Sequence, residues 1–368
     1  MMLNWTVRHS VAILFTTCIV MSPDMRLACS DEPHIYAAHF EKGIVVDVEF
    51  FGPGSWLGTP GTRLDDFKQL KSIWITTDKL DAKAVRYLAS IRSLEKIVFG
   101  DSAEDPLHFE QGALNELATM NWLKELEVNS FPLLEKEWTF LSRLESLEVL
   151  ILKGIDVLGM QHVEDIDSLE FVRLVGASAN EIPSSIGHLS KIKTLQLLFR
   201  ESTRPLDAKT INTLRENRFL ESLSIEGVDS KGVEALCELS GLRSLSLAVT
   251  EDVVDLNSLT KLKDLTFLKI DSKQLSANVL TSLSSLSNLE TLLIDCPEAN
   301  TTKSSVFPKG SWPKLKRVRL PYHCNAEILS SLADLPNFAE LVCRSIEKDG
   351  TEIESSLRAR GVRIELTR

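Results

Sequence analysis

The sequence has little of what membrane-spanning, nucleic-acid-binding or disulfide-stabilised proteins need. Outside one apolar run near the amino terminus, no stretch approaches the ~18 apolar residues of a membrane helix. Acidic residues outnumber basic ones by 52 to 41, so the net charge is −11, and the basic footprint that nucleic acids and anionic membranes require is missing. Six cysteines in 368 residues are too few for a disulfide scaffold, so stability must come from packing.

Sequence motifs that carry chemistry are also missing. There is no His-Glu-x-x-His, no Gly-x-Ser-x-Gly and no Cys–His pairing at a recognisable spacing. The glycine-rich loop 52–61 lacks the spacing of a dinucleotide loop, and Pro60 stands where a phosphate-binding helix must begin. The acidic group 101–108 lacks the alternating oxygen ligands of a calcium loop. We therefore predict a protein that is not an enzyme and has no cofactor and no metal site.

The amino-terminal segment has the pattern of an export signal. Val11–Met21 is an apolar run that is too short to span a bilayer but fits the core of a signal peptide. Ala28-Cys29-Ser30 fits the small-x-small pattern that signal peptidase reads, which predicts cleavage before Asp31. Residues 1–30 are then a signal peptide, and the mature protein is secreted, periplasmic or on the cell surface.

Two alternatives to cleavage remain open. The apolar run is also compatible with a buried N-terminal helix. Lipidation of Cys29 is the second alternative, because Leu27 and Ala28 precede it. Arg26 opposes lipidation, since it stands three residues before the cysteine, where a lipoprotein signal has an apolar residue.

One six-residue pattern, apolar-x-x-apolar-x-apolar, recurs twelve times along the rest of the chain. Its copies start at near-constant spacing, which indicates a repeat architecture. They are LKSIWI (70–75), LEKIVF (94–99), LKELEV (123–128), LEVLIL (147–152), LEFVRL (169–174), IKTLQL (192–197), LESLSI (220–225), LRSLSL (242–247), LTFLKI (265–270), LETLLI (289–294), LKRVRL (315–320) and FAELVC (338–343).

This pattern resembles the strand motif of the leucine-rich-repeat family, L-x-x-L-x-L followed by x-x-Asn or Cys. The resemblance covers residues 64–368, and it is clearest in NEIPSSIGHLSKIKTLQL (180–197). It implies an α/β fold: a right-handed solenoid, or horseshoe, of about twelve repeats plus caps, with a parallel concave β-sheet and a mostly helical convex side. No repeat has the family's asparagine at its ninth position, so the consensus is degenerate.

The predicted organisation has three parts after the signal peptide. Residues 31–63 form an N-terminal cap with an irregular strand at 44–51, and residues 64–346 form the repeats. Residues 347–368 form a C-terminal capping helix and strand, because a terminal repeat would otherwise expose its core face.

Helices are predicted between the strands, on the convex side. The segments 81–91 and 230–240 each place apolar residues on one face. Asp81, Asp207 and Ser230 are expected to cap helices at the amino end.

The second position of each motif alternates in charge from repeat to repeat, which predicts cross-strand ion pairs. Parallel neighbours lie about 4.8 Å apart, and seven adjacent pairs are opposite in sign. We interpret this charge ladder as structural. It consists of Lys71, Glu95, Lys124, Glu148, Glu170, Lys193, Glu221, Arg243, Thr266, Glu290 and Lys316.

The concave face is the predicted binding surface, since the second, third and fifth residues of each motif point away from the core. Its apolar residues exceed what solubility requires, and aromatic residues and arginine are typical anchors. For Trp74, packing on the cap explains its place equally well. The predicted binding residues are Trp74, Val98, Ile151, Phe171, Arg173, Phe267, Lys269, Leu293, Arg317 and Arg319.

A basic group of residues and three cysteines also stand out in the sequence. Lys314, Lys316, Arg317 and Arg319 with Tyr322 form a basic group, for which a solvated strand face is favoured over an acidic-partner site. Cys296 and Cys324 lie on one rim near the limit for a bridge, which gives a disulfide hypothesis. Cys343 is expected to be a buried core thiol.

The function predicted from these features is a non-enzymatic, extracytoplasmic protein-interaction module, and the resemblance implies the same. The expected partner is a protein, with no nucleic acid and no membrane span. The alternative is a cell-surface or envelope structural component that recognises a glycan or peptidoglycan.

Overall fold

The computed structural model describes residues 34–367 apart from short connecting segments. The predicted export segment 1–30, most of the loop 52–61, the acidic residues 101–105 and the stretch 180–188 lie outside the described residues. The segments left out are 42–43, 52–56, 58–63, 65–66, 78, 101–106, 130–137, 154–161, 164–165, 177–188, 190, 199–205, 207, 251–252, 255, 276–278 and 297–306.

One sheet of fifteen strands runs through the described chain. Its first two strands are antiparallel, and every following pair is parallel. In order they are β1 (His34–Glu41), β2 (Ile44–Phe51), β3 (Ser72–Thr76), β5 (Lys96–Phe99), β7 (Glu125–Asn129), β8 (Val149–Lys153), β9 (Phe171–Val175), β10 (Thr194–Leu198), β11 (Ser222–Val228), β12 (Ser244–Val249), β14 (Phe267–Asp271), β16 (Thr291–Asp295), β17 (Arg317–Arg319), β19 (Glu340–Cys343) and β21 (Arg363–Leu366).

Three two-stranded ribbons lie beside this sheet, just after its strands. They are β4 (Lys79–Leu80) with β6 (His108–Phe109), β13 (Val253–Val254) with β15 (Gln274–Leu275), and β18 (His323–Cys324) with β20 (Ser345–Ile346).

The repeat motif places its strands as predicted. In β8, Leu150 and Leu152 are buried, whereas Val149, Ile151 and Lys153 are half-buried on the opposite face. The same burial pattern recurs in β9 and β10, and equivalent motif residues pair across the strands. The first, fourth and sixth motif residues therefore form one continuous leucine-rich core.

The connections on the convex side are short helices. The α-helices are α1 (Ala82–Ser90), α2 (Ala208–Thr213), α3 (Ser230–Leu236), α4 (Val279–Leu283), α5 (Ala326–Ala333) and α6 (Thr351–Ala359). The 3-10 helices are Ala113–Thr119, Leu141–Arg143, Leu214–Glu216, Asn257–Lys261 and Lys348–Gly350.

One predicted helix cap is confirmed and one is wrong. Asp81 caps α1, because its Oδ1 accepts a hydrogen bond of 2.7 Å from Ala84 N. The cap of α3 is Asp229 and not Ser230, since Asp229 Oδ1 accepts from Gly232 N at 2.7 Å. The capping residue therefore lies one position earlier in the sequence than predicted, because the Asp229 carboxylate bonds the free N–H group of the first turn. Asp207 lies outside the described residues.

Tight turns, and carbonyl groups that each accept two hydrogen bonds, satisfy backbone groups in place of the missing asparagines. A turn of four residues precedes each strand of the large sheet from β3 to β17, as where Leu94 N donates to Ile91 O at 3.1 Å. At the strand start, Lys71 O accepts from both Glu95 N and Lys96 N, at 2.7 and 2.9 Å. The same arrangement recurs from repeat to repeat, so the ends of the strands keep their hydrogen bonds.

The two ends of the sheet differ. At the amino end β1 reverses direction and pairs with β2, a hairpin that the sequence analysis did not predict. At the carboxyl end α6 and β21 follow the last repeat, at the place predicted for a capping helix and strand. In the described part of the chain, no helix is long and apolar enough to cross a membrane.

Candidate binding site on the concave sheet

The concave face consists of three rows of side chains, at the third, fifth and seventh motif positions. Adjacent members of a row are in register, as Val149, Phe171 and Thr194 are in the third-position row. Because strands are parallel and equally spaced, each row runs across the sheet. The rows place residues that are distant in sequence side by side.

The first half of the face carries a cluster that we call the Arg173 patch. Arg173 is in register with Ile151 on one side and Gln196 on the other. Apolar residues occupy most of the surrounding positions, and all are half-buried. The patch consists of Val149, Ile151, Phe171, Arg173, Val175, Thr194, Gln196 and Leu198.

Arg173 has no partner for its charge within the described chain. Its Nε is buried and makes no hydrogen bond, and no carboxylate forms an ion pair with the guanidinium. A buried donor without an acceptor is costly, and an arginine among apolar side chains is only weakly hydrated. The arrangement can accept a carboxylate from outside the chain.

Charged residues border the patch toward the amino end. Lys153 forms an ion pair with Glu127, and Lys96 Nζ lies 2.6 Å from Glu125 Oε1. Because these charges are paired within the protein, they mark the edge of the patch and add no unpaired charge to it.

Four serines occupy the middle of the face. Ser222 pairs with Ser244 and Ser224 with Ser246 across β11 and β12. All four are half-buried and small. This stretch offers neither bulk nor charge to a partner.

The second half of the face carries the Asp295 patch. Asp295 forms ion pairs with two cations: Lys269 Nζ lies 3.4 Å from its Oδ2, and Arg319 Nε lies 3.4 Å from its Oδ1. Around this centre stand half-buried Phe267 and Leu293. The patch comprises Phe267, Lys269, Asp271, Leu293, Asp295 and Arg319.

Asp271 lies beside Asp295 in the seventh-position row. Burial raises the pKa of Asp271 above its ordinary value, Lys269 opposes this, and the charge of Asp295 adds to it. Two carboxylates and two cations therefore share a small area that also contains apolar side chains. Such a mixture suits a partner that presents both apolar and charged groups.

A match to the model of the leucine-rich-repeat region covers residues 127–347. The chain belongs to the leucine-rich-repeat family. This confirms the predicted family and fold class. A search of curated proteins found no significant match.

Solved structures of other leucine-rich-repeat proteins resemble the chain in fold. Internalin inlF from Listeria monocytogenes is 15% identical, over 82% of each chain, with a TM-score of 0.44. The protein LIC12759 from Leptospira interrogans is 15% identical, over 85% of this chain and 94% of its own, with a TM-score of 0.37. TLR13, solved in complex with ssRNA13, is 17% identical with a TM-score of 0.52, and the match spans 83% of this chain and 47% of TLR13.

Nine of the ten binding residues predicted for this leucine-rich-repeat protein remain accessible on the concave face. Val98 is the exception: only 2% of it is exposed. It lies in register between Trp74 and Glu127, which both have longer side chains. Trp74 itself is half-buried and lies next to Glu49 of the N-terminal cap.

Arg317 and the other basic side chains of this predicted group have partners within the protein. Lys314 Nζ donates to Asn288 Oδ1 at 2.8 Å, and Lys316 Nζ lies 2.7 Å from Glu290 Oε2. Arg317 Nε lies 3.2 Å from Glu340 Oε2. These contacts favour the solvated strand face over an acidic-partner site.

The charge ladder forms ion pairs, as predicted, at three of its steps. Lys124 pairs with Glu95 at 2.9 Å, Lys193 with Glu170 at 2.7 Å, and Lys316 with Glu290 at 2.7 Å.

The seventh-position row is not among the binding positions predicted from the sequence. It holds Lys153, Asp271 and Asp295, which pair with or flank the predicted residues. The alternation of the strand continues one residue beyond the six-residue motif, and this was the available signal.

The predicted Cys296–Cys324 pair is not what the structure shows. Within the described residues, Cys237, Cys296, Cys324 and Cys343 are free and buried. Cys296 Sγ donates to Lys273 O at 3.0 Å, whereas the thiol of Cys324 forms a hydrogen bond with that of Cys343. Cys296, Cys324 and Cys343 all belong to the buried core. Cys343 is the buried core thiol that was predicted.

Proposed function

We propose that this protein is a non-enzymatic, extracytoplasmic protein-interaction module that binds its partner on the concave face. The observation that carries the proposal is Arg173, whose Nε is buried and which has no ion-pair partner among the described residues, at the centre of an apolar patch. Leucine-rich-repeat proteins are typically binding modules, and the core here is occupied by repeat packing.

Arg173 defines the chemistry of the partner. A guanidinium forms two parallel hydrogen bonds with a carboxylate, and apolar surroundings strengthen the attraction. Ile151 and Phe171 supply apolar contacts on either side. The partner therefore presents an aspartate or glutamate flanked by apolar side chains.

The four serines divide the contact into two areas. Bulky partner groups contact the Arg173 patch and the Asp295 patch, because hot spots concentrate on aromatic, aliphatic and arginine side chains. The serines between them exclude water and contribute little binding free energy.

The extracytoplasmic location rests on the apolar run Val11–Met21 and the cleavage pattern that follows it. N-terminal sequencing of the exported protein is expected to begin at Asp31. An intact Met1, or a lipid on Cys29, would contradict this part of the proposal.

Affinity capture from the native compartment, followed by binding measurements with variants, tests the function. Phe171→Ala and Ile151→Ala are each expected to weaken binding by more than ~1 kcal/mol, a loss of at least about fivefold. Ser222→Ala and Ser224→Ala are matched controls at the same two row positions and should bind as the parent does. Circular dichroism checks that all variants fold.

Two results would overturn the proposal. One is parent-like binding by the Phe171 and Ile151 variants while substitutions on the convex helices abolish it. The other is retention of the protein in the cell-wall fraction with no protein captured, which would favour the envelope component that recognises a glycan.

A further inference from the structure

A pocket lies away from the concave patches, on the rim of the solenoid where the strands begin. Its volume is about 350 Å³, within the range of small-ligand sites. The four-residue turns that precede the first three repeat strands form it, at 67–70, 91–94 and 120–123. These turns are equivalent in the repeat, so they stack side by side along the rim.

The lining of the pocket is strongly basic in an otherwise acidic chain. Four cations face one carboxylate, that of Glu95. The cations are Lys68, Lys71, Arg92 and Lys124. The surplus positive charge contrasts with the net charge of −11 for the whole chain.

Among the described residues, only one of these four cations has a carboxylate partner. Lys124 Nζ donates to Glu95 Oε2 at 2.9 Å and holds the pKa of Glu95 below its usual range. Lys68 and Lys71 are exposed, and within the described chain neither forms an ion pair. The pocket therefore keeps positive charge available to an anion.

The basic character ends at the fourth repeat. At the equivalent positions of the next two repeats stand Glu145, Glu148, Asp167 and Glu170, all of them exposed. Opposite charges along one rim direct an anion toward the first three repeats and away from the fourth and fifth.

Neutral hydrogen-bonding groups and an aromatic ring lie among the cations. Gln69 and Ser93 contribute an amide and a hydroxyl to the lining. Arg92 Cζ lies 4.2 Å above the ring of Trp122, and the indole Nε1 of Trp122 is buried without a hydrogen-bond partner. A bare inorganic anion needs only the cations, whereas sugar hydroxyls also need an amide, a hydroxyl or an N–H group.

We infer that this rim pocket binds an acidic sugar, a saccharide that carries sulfate or phosphate groups. The lysines contact the anionic groups, while Gln69, Ser93 and Trp122 contact the hydroxyls and the ring. The site is separate from the concave patches, so it is independent of the proposed protein partner.

Calorimetric titration of the full chain with a disulfated disaccharide tests the inference. Its unsulfated parent sugar and sodium sulfate are titrated in parallel. We expect the sulfated sugar to bind, and to bind at least about tenfold more tightly than either comparison ligand, because only it satisfies both sets of groups. Equal binding by the unsulfated sugar, or by sulfate alone, would overturn the inference.

Variants localise the binding to the pocket. Lys68→Ala combined with Lys71→Ala should lower the affinity about tenfold, and it breaks no ion pair between described residues. The charge-matched control combines Lys191→Ala with Lys263→Ala, which are exposed on equivalent turns of distant repeats. An equal loss in the control pair would show non-specific attraction and would contradict the site.

Trp122→Phe tests the neutral half of the pocket. It removes the indole N–H and keeps an aromatic ring beneath Arg92. We expect weaker binding of the sulfated disaccharide and a smaller change in tryptophan fluorescence on binding. Unchanged affinity in this variant would contradict the role of Trp122 in holding a sugar.

Discussion

Gly100 lies so close to Asn129 that a Cβ atom on the glycine would stand 2.5 Å from the Asn129 carbonyl oxygen. Gly100 also has a φ of +81°, which side chains rarely allow. The carbonyl of Asn129 is held in place, since it accepts a hydrogen bond from Leu107 N at 3.2 Å. Glycine is required here for two separate reasons, the backbone angle and the close approach of the next strand.

Gly100→Ala is predicted to lower the free energy of unfolding by about 2 kcal/mol or more, since backbone strain and a backbone clash add together. Gly310→Ala is the matched control, because Gly310 has a φ of +72° with no atom within 4 Å of an added Cβ. The control should lose only about 1 kcal/mol. Urea denaturation measures both, and equal losses would show that the clash is relieved at no cost.

Arg173→Met is predicted to keep or raise stability while it abolishes binding to the protein partner. The variant retains the apolar stem and removes a buried donor that lacks an acceptor, which is worth about 1 kcal/mol. Gln196→Met is the control for the introduced methionine, because Gln196 is in register with Arg173 on the neighbouring strand. Thermal unfolding and partner binding measure the two effects; a destabilised Arg173→Met variant would show that the guanidinium has a structural role.

Glu290 contributes stability that depends on pH. The hydrogen bond from Lys316 lowers the pKa of Glu290 below its ordinary value of 4.5. A lowered pKa means that the stabilisation is present above the ordinary value and is lost as the pH falls through the lowered one. The stability difference between the parent and Glu290→Gln should therefore shrink as the pH falls below 4.5. A difference that does not change with pH would argue against the ion pair.

Asp271 affects the pH dependence of stability in the opposite direction. Burial and the neighbouring Asp295 raise its pKa, so the parent is relatively more stable below that pKa and loses stability as the pH rises through it. Asp271→Asn removes this loss and should gain stability relative to the parent at neutral pH. Chemical denaturation at neutral and acidic pH measures the gain, which should vanish in acid.

The four core thiols are predicted to resist alkylation until the protein unfolds. Burial raises the pKa of the Cys237 thiol, and the hydrogen bond with Cys343 raises that of Cys324, so both stay protonated. Peptide mapping after iodoacetamide treatment should find Cys237, Cys296, Cys324 and Cys343 unmodified in the native protein and modified in denaturant. A linked Cys296–Cys324 peptide without reductant would contradict this.

The repeat could be predicted from sequence because its interactions are local. Each strand contacts only its neighbours, so an apolar residue at a fixed motif position, such as Leu150, has the same surroundings in every repeat. The burial of a side chain on the concave face follows no such rule. Val98 is buried where it lies in register between the longer residues Trp74 and Glu127 of the two neighbouring strands.

Other features carried no periodic signal. The strand β1 precedes the first repeat, and its reversed direction is not encoded in the motif. The unpaired state of Arg173 could not be predicted either, because it depends on which carboxylates the neighbouring strands bring within reach. Binding residues were therefore predicted by position, and their contacts became visible only in three dimensions.

The parallel sheet also determines how the protein responds to force. Its strands follow one another from the first repeat to the last, and each is held mainly by the hydrogen bonds and core contacts to its two neighbours. A pull on the two ends of the chain acts across the strands, so it loads one interface at a time instead of shearing the whole sheet at once. The molecule should extend in small steps, each the length of one repeat, and behave as a compliant spring between whatever its two ends are attached to.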